Sequence, residues 1–204
     1  MNNALKRIIG LGLIPLLASC APVAAVTSAM VGTTIAEERS SGTRMDDTLI
    51  TIKIKEDFTQ KEFNEMLSRI SVTVHEGRVL LTGSVKNESF SQEAQAISWK
   101  VRGVKEVLNE IVIDDKDIRD YTKDSFIANS IRSKLLFKED IRSVNYSVDV
   151  NEGVVYLLGI AQNQKEIDDV LDISRSVKGV VKVVNFVIFK DDQRRIQAGQ
   201  FLPK

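Results

Sequence analysis

The chain is poor in the residues that most often carry chemistry. Its 204 residues include one cysteine, Cys20, and one histidine, His75. A lone cysteine cannot close a disulfide within the chain. One histidine with one cysteine cannot build a His/Cys metal site. There is no glycine-rich phosphate loop, no Gly-x-Ser-x-Gly elbow and no second histidine to serve a nucleophile. The chain therefore reads as a non-enzyme, with no catalytic residues, no cofactor and no metal ligands. No apolar run reaches the roughly 20 residues that a bilayer core requires. Basic and acidic residues balance at 28 each, which argues against a bulk nucleic-acid binder, since such domains are normally basic.

What is present starts at the N-terminus. Lys6 and Arg7 precede an apolar run from Ile8 to Leu17, broken only by Gly10, Gly12 and Pro15. This is the layout of a secretory signal peptide over residues 1–19. Its end, Leu17-Ala18-Ser19-Cys20, resembles a bacterial lipobox. That resemblance implies cleavage before Cys20, acylation of its thiol, and a mature chain hung from a membrane by lipid. Each buried methylene of an acyl chain adds about 0.8 kcal/mol, so two or three chains hold firmly. Ala21, where inner-membrane lipoproteins of Gram-negative bacteria tend to carry Asp, implies the outer membrane, facing the periplasm. Loss of Lys6 and Arg7 lowers the basic count from 28 to 26 and leaves a net charge of −2.

A long internal duplication fills the rest. Glu76-Gly77 matches Glu152-Gly153, Gly83 matches Gly159, Asn87 matches Asn163, Gly103-Val104 matches Gly179-Val180, and Asn109 matches Asn185, each 76 positions on. Upstream the offset is 77: Asp47-Thr48-Leu49-Ile50 answers Asp124-Ser125-Phe126-Ile127.

Each copy opens with a predicted helix, over 46–58 and 123–138, with Asp47 and Asp124 placed as N-caps. Alternating runs on either side of Glu76-Gly77 and Glu152-Gly153 predict hairpins, where Gly77 and Gly153 can take positive φ. Second helices follow over 87–101 and 163–177, then strands over 104–113 and 180–189. The fold class is α+β: two tandem α-β-β-α-β units, each a three-stranded mixed sheet covered by two helices. The domain plan is signal 1–19, lipidated tether 20–45, first unit 46–114, second unit 122–190, and a disordered tail 191–204.

The stretches Val74-His75-Glu76-Gly77-Arg78-Val79-Leu80-Leu81-Thr82-Gly83 and Val101-Arg102-Gly103-Val104-Lys105-Glu106-Val107-Leu108-Asn109, with Val177 to Asn185 repeating the second, resemble the BON domain. The first stretch meets the family pattern with its spacing shifted by one. A lipobox followed by two such units resembles the dual-BON outer-membrane lipoproteins. That resemblance implies binding of anionic phospholipid through the first helix of the second unit, and a role in envelope integrity.

The residues of that helix point the same way. At about 100° per residue, Ile127, Ile131 and Leu135 share one face with Ala128 beside them, as Ile50, Ile54 and Phe58 do in the first copy. The far face holds Phe126, Ser130, Ser133 and Phe137, bordered by Lys134. The expectation is that Phe126 and Phe137 enter lipid while Arg132, Lys134 and Lys138 meet phosphates. The alternative is that both rings pack against the first unit. In the first copy Leu49, Lys53 and Glu56 read as ordinary charged surface. His75 reads as an exposed turn residue and Trp99 as partly buried packing. Expected partners are an anionic phospholipid membrane and, in an adaptor reading, proteins of outer-membrane assembly or cell-wall remodelling, with no nucleic acid.

Overall fold

The computed structural model describes residues 40–60, 69–114 and 121–196. The signal segment, Cys20 and the tether up to residue 39 lie outside the described residues, as do residues 197–204 of the tail. In the first unit, helix α1 spans Ser41–Gln60, β1 Ile70–His75, β2 Arg78–Val85, α2 Glu88–Lys100 and β3 Glu106–Ile113. In the second, α3 spans Tyr121–Leu136, β4 Tyr146–Asn151, β5 Val154–Ala161, α4 Gln164–Arg175 and β6 Lys182–Phe189. A closing turn of helix, α5, covers Gln193–Ile196.

Helix α1 begins inside the stretch assigned to the tether, because Ser40 caps it. The Ser40 Oγ accepts the Thr43 N–H at 3.1 Å, satisfying one of the free donors at the helix start. Asp47 and Asp124 are not caps. Each lies within its helix and reaches across to the hairpin. Asp47 accepts the N–H groups of Glu76 and Gly77, both at 2.8 Å. Asp124 accepts those of Glu152 and Gly153, at 2.8 and 2.9 Å. The turns need this support, because Glu76 and Glu152 sit at φ 54° and 51°, each followed by a glycine at positive φ. Two successive left-handed residues aim both N–H groups at one carboxylate. Asp47 is almost fully buried. Asp47→Ala is therefore expected to cost about 3 kcal/mol, since hydrogen bonds to a charged group contribute roughly 1.5–3 kcal/mol. Urea unfolding checks this, with Asp47→Asn retaining part of the loss.

The paired asparagines of the duplication have local causes too. Asn163 caps α4 by accepting the Glu166 N–H at 3.0 Å, and Asn87 does the same for Phe90 at 3.4 Å.

In each unit the middle strand pairs antiparallel with the first and parallel with the last. The helices cover one face, where Ile50, Ile54 and Phe58 meet Val79 and Leu81, and Ile127, Ile131 and Leu135 meet Val155 and Leu157. The other faces of the two sheets pack on each other. Leu80 and Leu108 meet Tyr156, Leu158, Val184 and Phe186, giving a helix–sheet–sheet–helix stack. Polar bonds cross the same seam. Thr82 donates its hydroxyl to the Asp149 carboxylate, Asn151 Nδ2 donates to Gly83 O at 3.3 Å, and Arg78 Nη1 donates to Phe186 O at 2.8 Å. From the tail, Arg195 grips the Glu76 carboxylate at 2.7 and 2.9 Å, so the opening of the stretch assigned as disordered is helical and held to the first unit.

His75 is not an exposed turn residue; it is 1% exposed. It ends β1 on the strand face opposite Val74, the face that the second sheet covers. Trp99 is half exposed on α2.

Burial at the seam pushes the Tyr156 phenol up to about 12, with Glu110, Asp149 and Glu152 adding to the shift. The unfolded chain would release this proton near 10. Stability is thus complete below pH 10 and falls as pH rises toward 12, by roughly 2–3 kcal/mol for this residue. Tyr156→Phe should flatten that part of the alkaline unfolding profile.

Candidate functional site

Helix α3 buries Ile127, Ala128, Ile131 and Leu135 against its own sheet. The opposite face stays in solvent. Phe126 is 66% exposed and Phe137 81% exposed. Both figures are high for phenylalanine, whose ring is normally buried. Phe137 lies one residue beyond α3, yet its N–H donates to Ser133 O at 3.3 Å. The helical turn therefore carries on, and Phe137 stays in line with Phe126. Ser130, half-buried, and Ser133, exposed, lie between the rings and keep the middle of the face low. The shared interface of the two units is made by their sheets, and neither ring is drawn into it.

Lys134 borders this face and remains exposed. Its Nζ donates to Ser176 Oγ at 3.0 Å, which holds the amine at the edge of the face, at the C-terminal end of α4. Lys138 is exposed just past Phe137. Arg132 is not brought to this face. It lies about 120° around the helix from Phe126, and its guanidinium donates to Val148 O on β4 and to Asn129 Oδ1 at 3.2 Å. The structure thus assembles Phe126, Ser130, Ser133, Lys134 and Phe137, and leaves Arg132 tied to its own sheet. Leu136, 61% exposed, widens the apolar end of the ridge, although the repeat gave no reason to single it out.

The first unit is less ordinary than its charges suggested. Met45, Leu49 and Ile52 are 68%, 57% and 56% exposed, and their spacing sets them on one face of α1. The border differs in charge. Lys53 is engaged by Glu56 at 3.2 Å and Asp57 at 3.0 Å, so this ridge is aliphatic and flanked by acid, whereas that of α3 is aromatic and flanked by lysine.

Both units match the BON domain, over residues 46–115 and 123–191, and the chain belongs to the BON family. Its relatives include an uncharacterized protein in the gshII 5′ region of Anaplasma centrale, 41% identical over 153 residues that span 74% of this chain and 99% of that protein. A 21 kDa hemolysin of Actinobacillus pleuropneumoniae is 30% identical over 155 residues, 74% of this chain and 79% of the relative. The outer membrane lipoprotein DolP of Haemophilus influenzae is 27% identical over 187 residues, 91% of this chain and 96% of DolP. The chain is a tandem-BON, DolP-like protein.

Proposed function

We propose that this chain is a non-enzymatic envelope protein, lipid-anchored at Cys20 on the periplasmic face of the outer membrane. It binds anionic phospholipid through α3 and by that contact supports envelope integrity. The observation that carries the reading is the pair of solvent-facing rings, Phe126 and Phe137, in line on one helix with Lys134 at their edge. An amphipathic helix of this kind lies in the interface plane, with its apolar side at the headgroup–acyl boundary. Each basic residue near an anionic surface adds about 1 kcal/mol. A lipid tether at Cys20 would raise the effective concentration of so small a site. Likeness over nearly the whole chain to a protein named outer membrane lipoprotein supports the anchor and the compartment.

The test is flotation of the full chain carrying Cys20→Ser, which removes the tether. Vesicles containing phosphatidylglycerol should carry the protein up, and phosphatidylcholine vesicles should not. Binding should weaken as salt rises, because the Debye length shrinks from about 10 Å at 0.1 M to about 3 Å at 1 M. Equal flotation with both lipids would remove the anionic specificity.

The aliphatic ridge of α1 favours a second reading, an envelope assembly adaptor whose first unit binds a protein partner. Under it, Leu49→Glu abolishes recovery of membrane proteins in a pull-down and leaves vesicle flotation intact.

A further inference from the structure

The turn between α4 and β6 carries a surface that α3 alone does not explain. Val181 at its tip is 78% exposed, and among the large apolar side chains described only Phe137 is more so. Lys178 stands exposed three residues before it, whereas Lys182, also exposed, alternates with Val184 onto the opposite face of the sheet. The tip is held in place. The Val181 N–H donates to Gly153 O at 2.9 Å and the Val180 N–H to Val177 O at 3.2 Å. The turn also lies along α3. Ser176 takes the Lys134 amine at 3.0 Å. A Cβ at Gly179 would stand 3.1 Å from the Ile127 side chain, so the bare backbone rests on the helix there. Val181 then reaches Gly153, the residue that Asp124 of α3 holds. The turn therefore runs beside α3 from the level of Lys134 to that of Asp124, and Phe126 falls within this stretch.

The matching turn of the first unit keeps a cation, Arg102, in the place of Lys178 and differs at its tip. Lys105 occupies the place of Val181, and Glu106 that of Lys182. Glu106 is taken up by Arg78 at 2.5 Å.

We infer that the α4–β6 turn is a second insertion point for the same anionic bilayer. Val181 enters the headgroup–acyl boundary, and Lys178 meets lipid phosphates. This rests on the α3 reading and deepens it. A single helix held by two rings can roll about its axis, whereas a third apolar contact to one side of that axis fixes how the domain sits on the membrane. The charge beside it selects the occupant: an apolar tip with Lys178 and the Lys134 amine on the same turn complements an anionic lipid surface and opposes a basic one.

The single cysteine of the chain makes the test clean. In full chain carrying Cys20→Ser, an environment-sensitive fluorophore is attached at Phe126→Cys, Val181→Cys or Lys105→Cys. Vesicles of equal phosphatidylglycerol and phosphatidylcholine are then added. A blue shift at positions 126 and 181, with none at 105, is the expected result. A shift at 126 alone overturns the second insertion point and leaves the α3 contact standing. Absence of a shift at both 126 and 181 overturns both. Lys178→Gln should weaken vesicle binding about fivefold, with Lys182→Gln and Lys105→Gln without effect; equal losses from all three would also overturn the inference.

Discussion

Replacing Phe126 and Phe137 together by serine is expected to lower affinity for phosphatidylglycerol vesicles at least about a hundredfold while leaving thermal stability unchanged. Full burial of a phenylalanine side chain is worth roughly 1.5–3 kcal/mol, and every 1.4 kcal/mol is about tenfold in affinity. Two rings entering lipid therefore account for a factor of this size. The rings are 66% and 81% exposed in the folded chain, so their loss removes little from its core. Lys134→Gln should cost a further factor of about five, and that loss should disappear at high salt. The contrasting substitution is Leu49→Ser with Ile52→Ser on α1. These residues are nearly as solvent-facing as Phe126 but sit beside the acid-engaged Lys53, and their replacement should leave vesicle binding intact. Quantitative flotation of the three variants, with melting curves alongside, checks the whole set.

Leu158→Asp is expected to cost at least about 4 kcal/mol and to uncouple the two units. Leu158 is fully buried where the second sheet meets Leu80 of the first. Truncating a buried leucine costs roughly 2–5 kcal/mol, and a carboxylate left there without a partner adds desolvation. Each unit keeps its own helix-covered core, so calorimetry should resolve one transition into two. The volume-conserving Leu158→Met should stay within about 1.5 kcal/mol of the parent. Because α3 lies on the far side of its sheet from this seam, vesicle binding by Leu158→Asp should persist wherever the second unit remains folded.

The elements that were legible share one cause: their pattern is local. Ile127, Ile131 and Leu135 recur at helical spacing and are buried together. The strands flanking Glu76-Gly77 and Glu152-Gly153 alternate with period two and pair as hairpins. The exposed Phe126 and Phe137 follow from the same periodicity once the core stripe is known. What escaped depends on distant partners. Asp47 and Asp124 have the composition of caps, but their carboxylates are claimed by turns about thirty residues away. His75 is buried because a second sheet covers the first, and no local pattern announces that. Arg132 shares a helix with Phe126, yet its reach to Val148 O is a tertiary fact. The ridge of Met45, Leu49 and Ile52 went unseen because Ser40, not Asp47, starts α1, which places Met45 on the helix.

In the proposed function the second unit, and not the first, meets the lipid. Residue-resolved amide hydrogen exchange, on the full chain with Cys20→Ser and with and without phosphatidylglycerol vesicles, tests it without altering either ridge. Slower exchange over α3, residues 121–136, with α1 unchanged, is the predicted result. Slowing over α1 with α3 unchanged would contradict it.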